Sequence, residues 1–257
     1  MKTKWTTALA AALALALAVS PASADLTAAT KAFGKLLERY ATPRGVKYDA
    51  WRASGTDIRQ LSEILMLYRN VDPKTLEPNE RKALYIDLYN AAILDLVLLR
   101  NPRGSIKELS KGLNSLEIFN RNGLTFDQKV ISLNDLEKRL RDEFKDPRIH
   151  FALNCASKSC PPLRAEPYVA ATLDDQLDEA TRAFLASPNT VQVVTEGAKT
   201  TLVTTKIFDW YVADFKASGG PLAFIQKFGP AAAVEAIEGG KARLAFADYD
   251  WDLNAAK

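Results

Sequence analysis

The segment Asn79–Arg100, NERKALYIDLYNAAILDLVLLR, constrains the fold more than any other part of the chain. Its apolar residues follow a helical pattern and in the second half lie nearly all round the axis. Such a helix cannot leave a face in water, so it reads as the buried centre of the molecule. Two polar residues, Asn90 and Asp95, interrupt it, and Asn101-Pro102 ends it.

Amphipathic patterns flank this segment. Leu26, Phe33, Leu36, Leu37 and Tyr40 form one apolar stripe, broken by Pro43-Arg44-Gly45, and Ile58–Tyr68 forms another. Val46–Trp51 alternates as a short strand would. Ser132 and Asp135 resemble a capping box before a helix over Leu133–Phe144. Ile149–Cys155 reads as a short buried strand after Asp146-Pro147. A helix over Leu173–Leu185 follows. Thr190–Thr195 and Thr200–Thr205 read as a hairpin. Phe208–Phe215, Leu222–Phe228 and Ala232–Ile237 read as helices, the last stopped by Gly239-Gly240. Arg243–Phe246 is a terminal strand. Helices come first and strands cluster late, so the expected class is α+β: a helix-rich N-terminal half on a small, mostly antiparallel sheet.

The first 24 residues carry Lys2 and Lys4, an apolar run from Ala8 to Val19, and Ala22-Ser23-Ala24 before Asp25. This is the pattern of a secretory signal peptide cleaved near Ala24/Asp25, with a core too short for a comfortable membrane span. The expected destination is the periplasm or the medium, with no stable membrane span after cleavage. Two lysines and no acid leave with the leader, taking the formal charge from +3 to +1. No later Lys/Arg cluster with interleaved aromatics exists, which disfavours nucleic acid as a partner. Residues 25–257 read as a single domain.

The chain has one histidine, His150, and two cysteines, Cys155 and Cys160, all within eleven residues. These counts exclude a three-histidine metal centre, a four-cysteine zinc site and a disulfide-dense scaffold. No metal and no cofactor are expected. A histidine near a cysteine is the minimum for thiol nucleophile chemistry, in which the imidazole takes the thiol proton. Glu137 is the candidate to orient the imidazole. Two cysteines five positions apart in an exported chain equally suit a disulfide closing a tight turn, and that would remove the thiol. Either cysteine could be the nucleophile.

Asn90 needs partners inside a buried helix. It either ties the helix to a neighbouring loop or donates to a substrate. Arg148 and Arg164 bracket the His/Cys segment and could bind a substrate carboxylate. Tyr249 and Trp251 read as core anchors.

Several segments together resemble the family known as domain of unknown function 547: Leu88-Tyr-Asn-Ala91; Asn101-Pro-Arg-Gly-Ser-Ile106; Ser132-Leu-Asn-Asp-Leu-Glu137; Asp146-Pro-Arg-Ile-His-Phe-Ala-Leu153; Cys155-Ala-Ser-Lys-Ser-Cys-Pro-Pro-Leu163; and Tyr249-Asp-Trp-Asp-Leu-Asn254. The resemblance covers a core of about residues 80–254. The family is distantly similar to papain-like and transglutaminase-like thiol enzymes, with a rearranged strand order. That likeness implies Glu137, His150 and a cysteine as orienter, base and nucleophile. The family often has a histidine at the position of Lys138, so His150 stands here as the only imidazole.

Two functions are therefore expected. One is an extracytoplasmic thiol hydrolase or transferase acting on a peptide-like or thiol-containing small substrate. The other is a non-enzymatic binding module for such a ligand, with Cys155 and Cys160 as a structural disulfide and Asn90, Arg148 and Arg164 supplying polar contacts.

Overall fold

A computed structural model describes residues 21–110, 116–121, 123–197, 199–240 and 242–256, with the side chains of 21–25 left aside. The expected leader therefore lies outside the described residues as far as position 20. No helix among the described residues is long and apolar enough to cross a membrane.

The chain opens with α1 (Pro21–Tyr40), then a two-residue hairpin of β1 (Ala41–Thr42) and β2 (Gly45–Val46), then α2 (Tyr48–Ala53) and α3 (Gly55–Asn70). The strand expected over Val46–Trp51 is limited to Gly45–Val46 and gives way to α2, whose Tyr48 and Trp51 are buried. α4 (Pro78–Arg100) is the central helix. Pro78 occupies its first turn, where a missing N–H costs nothing, and Glu77 and Glu80 form a capping box. Fourteen of its residues are buried, so the all-round apolar pattern is satisfied by neighbours on every side. Asn101 ends it in the left-handed region, φ 49°.

After β3 (Leu124–Phe126) and β4 (Lys129–Ile131), an antiparallel pair, comes α5 (Leu133–Phe144). Ser132 Oγ accepts from Asp135 N–H at 3.0 Å and Asp135 Oδ2 accepts from Ser132 N–H at 2.9 Å. This is the reciprocal cap read from the sequence. α6 (Leu173–Leu185) follows. The expected hairpin is β5 (Val191–Glu196) and β6 (Lys199–Thr204), antiparallel from Val191↔Thr204 to Glu196↔Lys199. α7 (Ile207–Trp210), α8 (Pro221–Phe228) and α9 (Ala231–Glu238) come next, and β7 (Ala242–Phe246) joins β6 in parallel. The class is α+β, with its strands divided among small sheets of two or three. The helix expected over Phe208–Phe215 stops at Trp210.

The segment Ile149–Cys155 is not a strand. Pro147–Phe151 is a 3₁₀ turn, capped by Asp146 Oδ1, which accepts from Arg148 N–H at 3.1 Å. An Asp-Pro pair supplies both a cap and a preset first position, and these start a helical turn where an apolar run alone is ambiguous.

Two apolar clusters meet at this turn. The larger gathers aliphatic and aromatic residues of α1 to α5, and Ile149 belongs to it. The smaller is rich in phenylalanine: Phe151, Phe184, Phe208, Phe215, Phe224 and Phe228. His150 lies between the two. Past β7 the chain runs back over the helical half. Its Leu253 N–H donates to Gly104 O (2.8 Å) and Asn254 N–H to Ala156 O (3.0 Å), while Asn254 O accepts from Val46 N–H (2.8 Å). Gly45, at φ 120°, leaves the room this needs, since a Cβ there would sit 2.1 Å from Asn254 O.

Candidate functional site

Cys155 and Cys160 form a disulfide with Cα atoms 6.0 Å apart. The turn that carries them is held by asparagines. Asn90, on α4, donates from Nδ2 to Ala152 O (3.0 Å) and accepts Asn154 N–H (2.9 Å). Asn154 donates from Nδ2 to Pro161 O (2.7 Å), and its Oδ1 accepts from Ala156 N–H (3.0 Å) and Asn254 Nδ2 (3.2 Å). Asn254 in turn accepts the Tyr48 hydroxyl at 2.8 Å. Every one of these amides is buried, where an unmet donor or acceptor costs about 1–3 kcal/mol. Asn90 therefore ties the central helix to the His/Cys segment.

One face of the disulfide forms the wall of a cavity of about 470 Å³. Glu137, His150, Cys155 and Cys160 all line it, so the four residues singled out for chemistry share one space. Tyr249 and Trp251, read above as anchors, line it too, with Trp210, Tyr211, Tyr89 and Phe119. Trp210, Tyr249 and Trp251 pack ring on ring, with centroids 4.4–5.8 Å apart. This size and this apolar lining with few polar groups are what small-ligand sites share.

The imidazole of His150 is nearly buried, its side chain 3% exposed. Its Nε2 lies 2.8 Å from Asp214 Oδ2. An ionised carboxylate only accepts, so Nε2 is the donor of this bond. Arg141 on α5 grips the same carboxylate, from Nε to Oδ2 at 2.6 Å and from Nη2 to Oδ1 at 3.3 Å. The Tyr211 ring packs against both groups, 4.1 Å from the His150 ring and 4.7 Å from the Arg141 guanidinium. Hydrogen bonds from His150 and Arg141 hold the Asp214 carboxyl far below the usual range.

Glu137 is half-buried. It pairs with the Tyr211 hydroxyl, and burial together with this carboxylate pushes that hydroxyl well above its ordinary value. The partner of His150 is thus Asp214, and Glu137 serves Tyr211. Cys155 Sγ lies 3.0 Å from Ser157 Oγ and 3.4 Å from the Tyr249 hydroxyl. Burial raises the Tyr249 hydroxyl to about 12, so it remains a donor at any ordinary pH.

The two arginines lie elsewhere. Arg148 bonds Asp146, Asp174 and Asp178, and Arg164 bonds Glu166 and Glu179. Neither lines the cavity. Asp214, Arg141, Trp210 and Tyr211 escaped the sequence reading. Asp214 is one of 31 acidic residues and sits 64 positions from His150, so no local pattern marks it.

Residues 73–185 match the sequence profile of a family described as "Protein of unknown function, DUF547". The match takes in α4, α5, the 3₁₀ turn and both cysteines, and leaves out Trp210, Tyr211, Asp214 and Tyr249. No curated protein and no solved structure matches the chain.

Proposed function

For a chain that belongs, through residues 73–185, to the domain of unknown function 547 family, we propose a binding site for a small peptide-like or thiol-bearing ligand outside the cytoplasm. The observation that carries this reading is the closed disulfide in the wall of an aromatic cavity. With both sulfurs bridged there is no thiolate to attack a carbonyl, whereas the lining is already suited to holding a ligand. Asn134 Nδ2 donates to Asn120 Oδ1 at 2.6 Å. Both side chains line the cavity, and a primary amide carries the N–H donors and the carbonyl acceptor that complement a peptide unit. Export, read from the leader, fits a disulfide that persists.

The test is a thermal-shift screen with N-acetyl dipeptide amides and S-methylcysteine peptides. The melting temperature should rise, the rise should survive Cys155→Ala/Cys160→Ala, and Trp210→Ala should abolish it. A folded protein that no such compound shifts would defeat the reading.

A second reading is favoured by one observation: Glu137, His150 and both sulfurs face the same cavity. Once reduced, the pair would offer a thiol hydrolase or transferase its nucleophile, with Nδ1 of His150 as the available base. Iodoacetamide labelling of reduced protein near neutral pH tests it. One fast-labelling thiol supports it, and slow, equal labelling of both sinks it.

A further inference from the structure

We infer that the Cys155–Cys160 disulfide is an exchange site for small thiols, with the Cys155 sulfur attacked and Cys160 departing as the thiolate. The inference rests on the reading of the cavity as a ligand site, because the thiol must enter it.

Three observations carry it. The first is exposure. Cys155 is half-buried at the cavity wall, whereas Cys160 is 8% exposed. An incoming thiolate therefore meets the Cys155 sulfur first.

The second is the set of donors. The Cys155 N–H points at Cys160 Sγ, 2.7 Å away. A negative charge developing on that sulfur meets a fixed N–H, which stabilises the departing thiolate. A better stabilised thiolate leaves faster. Cys155 Sγ has two hydroxyls beside it, those of Ser157 and Tyr249, which can turn to donate when that sulfur departs in turn.

The third is that the turn does not depend on the bridge. Its backbone is held at Asn154, Ala156 and Pro161 by the asparagine network. It is held at Lys158 and Ser159 by hydrogen bonds to Asp252 O (2.8 Å) and Asp250 O (3.2 Å). Opening the S–S bond leaves these contacts in place. The two sulfurs stay adjacent and can close again.

The step balances as follows. A thiolate RS⁻ forms a bond to Cys155 Sγ, the Cys155–Cys160 bond breaks, and its electron pair leaves on Cys160. A second thiolate attacks the sulfur of R in the mixed disulfide and releases Cys155 as a thiolate. Two thiols become one disulfide, and the two protons they gave up on ionising are taken up by the two cysteine thiolates, so the protein's disulfide becomes a dithiol. The reaction is stoichiometric in the protein.

The experiment uses the oxidised protein in native buffer with millimolar free cysteine, quenched in acid, alkylated and mapped by peptide mass. The mixed disulfide is expected on Cys155 with alkylated Cys160, in at least about ten-fold excess over the reverse. Ser157→Ala with Tyr249→Phe should prolong the mixed disulfide several-fold. A bridge that opens only after denaturation overturns the inference, as does an adduct found mainly on Cys160, which also faces a second cavity of about 880 Å³. The outcome is separable from that of the ligand screen. A melting shift with S-methylcysteine peptides but no cysteine adduct defeats exchange alone. An adduct on Cys155 without any shift defeats only stable binding.

Discussion

The two apolar clusters differ in what they hide. The helical one, around α4, conceals charge. Asp57, Lys82 and Asp87 are all buried there. Among the described residues from position 184 to 246, the only buried polar ones are the threonines Thr190, Thr204 and Thr205. That second cluster is held by rings: Phe151 lies 5.6–6.2 Å from Phe184, Phe208, Phe215 and Phe224. Aliphatic packing tolerates repacking, whereas ring contacts prefer particular geometries. One region can afford buried ionisable groups because many helices share the burden. The other depends on a few large side chains, and His150 and Asp214 lie at its edge.

The strongest challenge to this contrast is Phe151→Ala. Phe151 is 1% exposed, and its loss should cost about 3–5 kcal/mol in urea unfolding. Hydrogen exchange should show α8 amides losing protection while those of α4 keep theirs. Equal loss in both would mean one cooperative unit and would end the comparison.

Asp214→Asn should cost about 1–3 kcal/mol at neutral pH. Its depressed carboxyl stabilises the fold above the unfolded pKa, about 3.9, and that stabilisation is lost as pH falls through the folded value. The variant should therefore show a flatter decline in stability below about pH 4. An unchanged acid profile would show that the His150–Asp214–Arg141 arrangement adds nothing.

Removing the bridge by Cys155→Ala/Cys160→Ala should cost about 2 kcal/mol, since so short a loop loses little entropy when closed. A much larger loss would show that the asparagine network cannot hold the turn by itself.

The smallest expected effect, and the one of opposite sign, is at Asp87. Burial pushes its carboxyl well above the usual range against a single backbone bond from Tyr168 N–H at 3.1 Å. A carboxyl raised in the folded state weakens folding as pH rises past its unfolded value. Asp87→Asn should thus stabilise by on the order of 1 kcal/mol at pH 7, and the gain should vanish near pH 4. Melts across pH 4–8 would read it.

The same contrast explains what the residues revealed by themselves. α4, the Ser132 cap and the β5–β6 hairpin follow from local rules of period, capping and turn chemistry, so pattern alone located them. His150, Cys155 and Cys160 are close in sequence, and Glu137 one helix away, so their meeting in one cavity was legible. Asp214 and Trp210 reach the cavity through the phenylalanine cluster, whose contacts span tens of positions and leave no periodic trace. Tyr249 and Trp251 read as anchors because an aromatic side chain looks the same in a sequence whether it seals a core or lines a cavity. The 3₁₀ turn was missed because its apolar residues outweighed the Asp146-Pro147 signal.

The return of the chain over the helical half has a consequence in time. Asn254 is joined to Tyr48 across 206 positions and to Asn154 across 100. During synthesis, α4 and both cysteines emerge long before Asp250, Asp252 and Asn254, which complete the hold on their turn. Contacts of such span form late, so the two sulfurs meet any oxidant first on a turn held by Asn90 and Asn154 alone. The cavity has its full wall only once Tyr249 and Trp251 have arrived.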